Sequence, residues 1–175
     1  GETITLLKNV DQAFGISVPA GEKTFTVDFG GFTYKVEKPG AGSANTKTQA
    51  FQLKKGNTIT FKNGTIECTE ANKTATWNSD SPIKGVAMII QNYANLTLDG
   101  MTIDATNIAH NGNNANVRYA VSTNNGSTTF AGETKIITVG NDIAFDSCDD
   151  TQYTGKPTVT WNSTGTVNGL IELTG

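Results

Sequence analysis

The chain has 175 residues, with 13 Lys and Arg against 16 Asp and Glu, two Cys and a net charge of −3. This size fits one domain of ordinary length. Arg occurs once, at Arg118, and no clustered basic stripe exists in the sequence, which argues against nucleic-acid binding. No stretch approaches the ~20 apolar residues that a membrane-spanning helix needs, so we expect no membrane insertion.

The composition favours β-structure with many turns. Thr (28 residues), Asn (18) and Gly (19) dominate the chain. Thr suits a half-buried pleated surface, while Gly and Asn tolerate the left-handed backbone of tight turns. The sequence therefore predicts an all-β protein.

Short alternating strands recur along the chain, each followed by a Gly, Asn or Asp kink and a second short strand. The copies cover residues 27–34, 59–66 and 96–103, at offsets of 32 and 37, with a looser fourth copy at 135–143. A further apolar run follows each copy, at residues 50–53, 86–90, 119–122 and 169–173. One repeat thus holds about three strands, and such a unit buries its apolar face only by stacking on its neighbours.

A longer echo supports stacked repeats. Residues 74–79 (Thr-Ala-Thr-Trp-Asn-Ser) recur at 158–163 (Thr-Val-Thr-Trp-Asn-Ser), an offset of 84. The pattern favours a solenoid of about four to five coils, with an antiparallel β-sandwich as the alternative. We expect a single domain over 1–175, in which 1–22 form an opening strand or cap and a first partial coil, and 23–175 form the stacked coils. We also expect flanking domains in a longer chain.

The opening residues resemble a known family. Residues 3–10 and 16–33 run from a Thr-rich strand through a Pro-x-Gly turn at Pro19 to the segment Val-Asp-Phe-Gly-Gly-Phe-Thr at 27–33. This resembles the first coils of pectate-lyase-like β-helix modules in bacterial surface proteins, which carry a Leu-Asp-Leu-Asn-Gly-His-Thr pattern. Here Gly30 stands in place of the Asn and Phe32 in place of the His. The resemblance covers residues 3–36 and implies a right-handed, single-stranded parallel β-helix.

The two cysteines provide a geometric expectation. Cys68 closes the second copy and Cys148 the fourth, so they should lie two coils apart, about 9–10 Å at a ~4.8 Å strand spacing. A disulfide needs Cα atoms closer than about 7 Å. We therefore expect two free, largely buried thiols.

Three residues are candidates for ligand contact. Trp77 and Trp161 occupy matching positions of the 84-residue echo, and exposed rings in such a row could stack on sugar faces. Alternation along the strand places them on the apolar face instead, with core packing as the favoured interpretation. Arg118 is the sole guanidinium, and we interpret it as a surface residue at a strand start or a ligand contact.

The acidic residues near the fourth copy are candidates for a weak calcium site. Asp146, Asp149 and Asp150 supply the oxygen ligands that hard cations prefer, although their spacing fits no known calcium loop. Polysaccharide hydrolysis needs two facing carboxylates, and a polygalacturonase-like motif would place a Gly after His110, where Asn111 stands. Lyase chemistry needs a base beside a uronate carboxylate, usually helped by a bound cation. Pectate-lyase-like enzymes usually combine several acidic calcium ligands with a catalytic Arg, and both cannot be assigned in this sequence. No catalytic residues are assigned on this basis.

These features lead to an expectation about function. A Thr-rich coil stack with variable corner loops suits a non-catalytic extracellular or cell-surface module for adhesion, display or carbohydrate contact, whose partner is a polysaccharide or a host surface glycan. The alternatives are a polysaccharide lyase or glycoside hydrolase with a degenerate motif, and a structural spacer or stalk. Apart from the possible calcium, no cofactor is expected.

Overall fold

The structure, a computed structural model, describes residues 1–41, 48–75, 85–109, 118–150 and 154–173. These residues form sixteen strands and one short helix, α1 (Glu70–Lys73). The all-β prediction is confirmed. No helix in the described ranges is long and apolar enough to cross a membrane.

The strands form two sheets. The first sheet contains β1 (Glu2–Thr5), β2 (Val10–Phe14), β4 (Thr24–Asp28), β5 (Thr33–Lys38), β7 (Thr58–Cys68), β9 (Asn95–Asp104), β11 (Ser127–Ala131), β12 (Lys135–Ile137), β14 (Thr158–Trp161) and β15 (Val167–Asn168). The second sheet contains β3 (Ile16–Val18), β6 (Gln49–Leu53), β8 (Met88–Asn92), β10 (Tyr119–Asn124), β13 (Ile143–Cys148) and β16 (Leu170–Leu173).

Strand pairing within both sheets is parallel. The order is β1-β4-β7-β9-β11-β14 along the first sheet and β3-β6-β8-β10-β13-β16 along the second, so the chain passes through both sheets once per layer. All fourteen strand pairs of the described chain are parallel. An isolated antiparallel bridge joins Ala41 and Gln49. This pairing excludes the antiparallel sandwich and is compatible with a parallel β-helix.

The residues at one register position form rows across the sheets, which we call ladders. One ladder of the first sheet consists of threonines throughout: Thr3, Thr26, Thr60, Thr97, Thr129 and Thr160. The next ladder along the strands is apolar and faces the core: Ile4, Val27, Phe61, Leu98, Phe130 and Trp161. This period-two alternation is what places one face of each strand in the core.

The register corrects the sequence alignment. Thr24 and not Thr26 lies opposite Thr58, an offset of 34, whereas Thr33 lies opposite Thr65 at the expected 32. The two offsets differ because the first kink, at Phe29–Phe32, contains two extra residues, Gly30 and Gly31, both at positive φ. Glycine adopts this backbone conformation without steric penalty, so the insertion is tolerated at the turn.

The fourth copy of the repeat covers β11 and β12, and not residues 135–143 as the spacing predicts. Ser127–Ala131 is the strand that pairs with β9, and Lys135–Ile137 continues the same layer after the turn. Ile143–Cys148 belongs to the second sheet, where it pairs with β10. At the start of the 84-residue echo the two copies differ, since Thr74 follows helix α1 while Thr158 begins a strand; residues 76–79 lie outside the described residues.

Both cysteines are free, as predicted. The two cysteines do not stack in one row as expected, because Cys68 lies in the first sheet opposite Val36 and Cys148 in the second sheet opposite Asn124. Cys68 is buried, whereas Cys148 is partly exposed. The separation of the thiols therefore follows from their different sheets and not from stacking two layers apart.

Candidate functional site

A cleft of about 290 Å³ lies at the corner where the chain passes from the second sheet to the first. Four successive layers contribute to it through the turns that precede β7, β9, β11 and β14. Its lining includes Lys55, Tyr93, Asn95, Asn125 and Lys156. Four layers span three strand spacings, or about 14 Å at ~4.8 Å each, so this corner cleft can accommodate an extended ligand along the stack.

The charged side chains that line the corner cleft are both lysines. The Lys55 ammonium donates a hydrogen bond of 3.1 Å to the Thr154 hydroxyl, which holds it across the intervening layers. Lys156 follows two residues after Thr154 and is exposed. Among the described residues that line the cleft there is no carboxylate, although Asp149 accepts a 2.9 Å bond from the amide of the lining residue Asn125. The lining itself therefore carries positive charge.

The amide side chains of the corner cleft are held in place by neighbouring layers. The Asn125 side chain donates to the Gly155 carbonyl at 2.6 Å and accepts from the Asp150 backbone N–H at 2.9 Å. The Ser127 hydroxyl donates to the Asn95 Oδ1 at 2.9 Å. The Asn95 Nδ2 group has no hydrogen bond to the residues described and remains a donor for a ligand.

The floor of the corner cleft is rigid backbone. The Asn95, Ser127 and Thr158 backbone N–H groups each donate to the layer before, at 2.9 Å. Gly126 allows this close approach, since a Cβ atom there would lie 2.4 Å from the Ala94 carbonyl oxygen. The geometry is thus fixed before any ligand arrives, which reduces the entropic cost of binding.

Of the two tryptophans named as candidate ligand contacts, Trp161 is described, and it is not among the residues that line this cleft. Trp161 is in the core-facing ladder and packs on Phe130 with ring centroids 4.8 Å apart, yet it is 43% exposed because β14 is the last strand of its sheet. Trp77, like His110, lies outside the described residues. The core interpretation of Trp161 agrees with its register position.

Arg118 forms an ion pair. Its Nε atom lies 2.8 Å from the Oδ1 of Asp142, whose side chain is almost fully buried. Arg118 itself is only partly exposed, and its backbone carbonyl accepts from the Ile143 N–H. This partner gives Arg118 a structural role next to the second sheet, outside the corner cleft.

The three candidate calcium ligands have different environments. Asp149 is exposed and bonded to Asn125, whereas Asp146 is buried within the second sheet. The Asp150 backbone N–H is bonded to the same Asn125. Over the described ranges, no group of three or more metal-ligating side chains is present.

Asp146 belongs to a polar ladder of the second sheet. The ladder comprises Ser17, Gln52, Gln91, Ser122, Asp146 and Glu172. Burial raises the pKa of Asp146 to about 6, and the negative charge of Glu172 adds to the rise. The Asp146 Oδ1 atom is buried without a hydrogen-bond partner in the described structure. Asp146 and Glu172 thus form a carboxylate pair on adjacent strands.

The corner cleft offers ammonium groups, amides, hydroxyls and one aromatic ring along an extended groove. Such a set can bind the hydroxyls of a sugar chain, pair with its carboxylates, and present a ring edge or face to its C–H groups. Sequence reasoning missed this site because its residues come from four separate turns. The signal was the recurrence of a turn before each Thr-rich strand.

Comparison with known proteins does not assign a family. No protein-family model matches the chain, and searches of curated proteins and of solved structures return no match either.

Proposed function

We propose that this chain is a non-catalytic extracellular or cell-surface module that contacts an acidic polysaccharide through the corner cleft. The observation that carries the proposal is a pre-formed groove lined by Lys55 from its first layer, Lys156 from its last layer, and Tyr93. The ammonium groups pair with uronate carboxylates, and the turns of four layers that line the groove match an extended polymer better than a single sugar.

The proposed architecture is a right-handed parallel β-helix of the pectate-lyase-like kind. The parallel order of both sheets supports it, as does the general right-handedness of crossover connections between parallel strands. A surface location is supported by the resemblance of residues 3–36 to modules of bacterial surface proteins. A rigid stack with variable corners suits display of such a cleft.

The test is affinity electrophoresis through gels that contain polygalacturonate, its fully methyl-esterified form, or a neutral glucan. The proposal expects retardation by polygalacturonate, weaker retardation by the ester, and no loss of polymer. The double variant Lys55→Gln/Lys156→Gln should migrate freely, while Lys135→Gln, on a strand outside the cleft, should behave as the wild type. Equal mobility of the wild type in all gels would contradict the proposal.

Glycoside hydrolysis is a second candidate, favoured by the Asp146–Glu172 pair. Retaining glycosidases place two carboxyl groups about 5–5.5 Å apart, and one of them must remain protonated near neutral pH. Adjacent parallel strands are ~4.8 Å apart, and the raised pKa of Asp146 suits the acid. Release of reducing ends from polygalacturonate by the wild type, lost in Asp146→Asn, would replace the binding proposal by this one.

A further inference from the structure

The layer stack has a leading end, formed by β1, β2 and β3, and a trailing end, formed by β14, β15 and β16. Both ends expose apolar side chains. The leading end contains a cavity of about 300 Å³ lined by aliphatic and aromatic side chains, among them Ile4 and Ile16. Ile4 is 57% exposed and Ile16 41%. At the trailing end Trp161, Ile171 and Leu173 are exposed, although inner members of the same ladders are buried.

The outermost strands also have open edges. Among the strands of the described residues, β1 pairs only with β4 and β14 only with β11 in the first sheet, and β3 pairs only with β6 and β16 only with β13 in the second. An unpaired strand edge is a template for further pairing. Because all the strand pairs are parallel, a translated and rotated second copy meets these edges in the orientation that the inner layers already use.

The ladders match at the two ends. The Thr ladder begins at Thr3 and ends at Thr160, and its core neighbour begins at Ile4 and ends at Trp161. In the next stretch of the first sheet, the ladder that starts at Val10 ends at Val167. Stacking of two copies would therefore place threonine next to threonine and apolar side chains next to apolar side chains.

The second sheet matches in the same way. The ladder that starts at Ile16 ends at Ile171, and the ladder that starts at Val18 ends at Leu173. Glu172 would meet Ser17, so no like charges face each other there. The single mismatch is Glu2 opposite Val159, at an exposed edge position where the carboxylate can turn into water.

We propose that the trailing end of one copy docks on the leading end of a second copy, head to tail. Trp161 and Leu173 then cover the apolar cavity of the next copy, and β14, β15 and β16 pair with β1, β2 and β3. A second copy is the occupant that we infer because β14 matches the register of β1, β16 matches that of β3, and Val167 of β15 continues the ladder that starts at Val10. Such a contact is heterologous, so it continues into a filament and does not stop at a dimer.

The test uses variants that block one end each. Ile4→Lys places a charge in the leading cavity, and Trp161→Lys places one on the trailing end; edge lysines of this kind prevent strand pairing in natural sheets. We expect sedimentation velocity of the wild type to show a mean mass that rises more than twofold with concentration. Each variant alone should remain a monomer, and an equimolar mixture should form a 1:1 dimer that does not grow.

A second pair of variants, Ile16→Lys and Leu173→Lys, repeats the test on the other sheet, and circular dichroism verifies that every variant folds. Dimers of either single-end variant alone would overturn the proposal, because they would show a contact between identical ends. A wild type that stays monomeric at all concentrations would also overturn it and would leave a different polypeptide as the partner of these ends.

Discussion

Asp146 and Glu172 occupy one register position on adjacent parallel strands, and the buried Asp146 carries an oxygen atom without a hydrogen-bond partner in the described structure. A buried carboxylate next to a second carboxylate favours its protonated form. This relationship makes the stability of the fold depend on pH.

The first prediction concerns that pH dependence. The pKa of Asp146 rises from 3.8 to about 6 on folding, so the folded state binds the proton more tightly. The stability that this proton provides is fully present below pH 3.8 and is lost as the pH rises to about 6, a change of about 3 kcal/mol. Asp146→Asn should therefore match the wild type near pH 3.5 and exceed it in urea unfolding at pH 7.

A gain in Asp146→Asn that is the same at both pH values would mean that the Asp146 carboxyl titrates normally.

The second prediction concerns the core near the trailing end. The Phe130 ring is fully buried, with ring centroids 5.2 Å from Phe145 and 4.8 Å from Trp161. Phe130→Ala should lower the free energy of unfolding by about 3–5 kcal/mol, because a large cavity opens between these rings. Phe14→Ala, at a 66% exposed position, should cost about 0.5 kcal/mol or less. Similar losses in the two variants would contradict the assignment of Phe130 to the core.

The third prediction concerns Asn72, a buried side chain that ties two connections together. Its amide donates to the Val86 carbonyl at 3.0 Å and the Asn107 carbonyl at 2.8 Å, and its Oδ1 accepts from the Val86 N–H at 2.6 Å. Asn72→Ala leaves the Val86 N–H buried without a partner, although the Val86 carbonyl keeps its bond from the Ala109 N–H, and should cost about 2 kcal/mol in chemical denaturation. Lys73→Ala, exposed on the same short helix, tests whether the loss is specific to Asn72.

The fourth prediction concerns the thiols. Burial raises the pKa of the Cys68 thiol well above its usual range, and it raises the pKa of the partly exposed Cys148 to a smaller extent. Thiolate is the reactive form, so an exposed-thiol reagent at pH 8 should modify Cys148 slowly and Cys68 only after unfolding. Modification of Cys68 at the faster rate in the native protein would contradict its burial.

More of the fold than of the candidate site could be predicted from the sequence. The four apolar runs of the sequence all overlap strands of the second sheet. β6, β8 and β10 are buried along nearly all of their length, whereas β16 is the last strand of the sheet and is exposed. The strand register expected from the sequence is wrong before the first kink, because Gly30 and Gly31 lengthen that turn without changing the strands on either side. A turn insertion of this kind changes the spacing between repeats in the sequence but has little effect on the stability of the fold.

The corner cleft was out of reach of motif reasoning. Its lysines, at 55 and 156, are 101 residues apart and become neighbours of Tyr93 only through the stacking of layers. Each turn by itself has an ordinary surface composition. Only the correct register of the strands brings these side chains into one groove.

The most direct test of acidic-glycan binding at the corner cleft is quantitative amine labelling of the native protein, read by mass spectrometry, with and without saturating oligogalacturonate. The account predicts that labelling of Lys55 and Lys156 falls several-fold when the oligosaccharide is bound, while that of Lys135, on a strand outside the cleft, stays constant. Unchanged labelling of Lys55 and Lys156 at saturating oligosaccharide would contradict it.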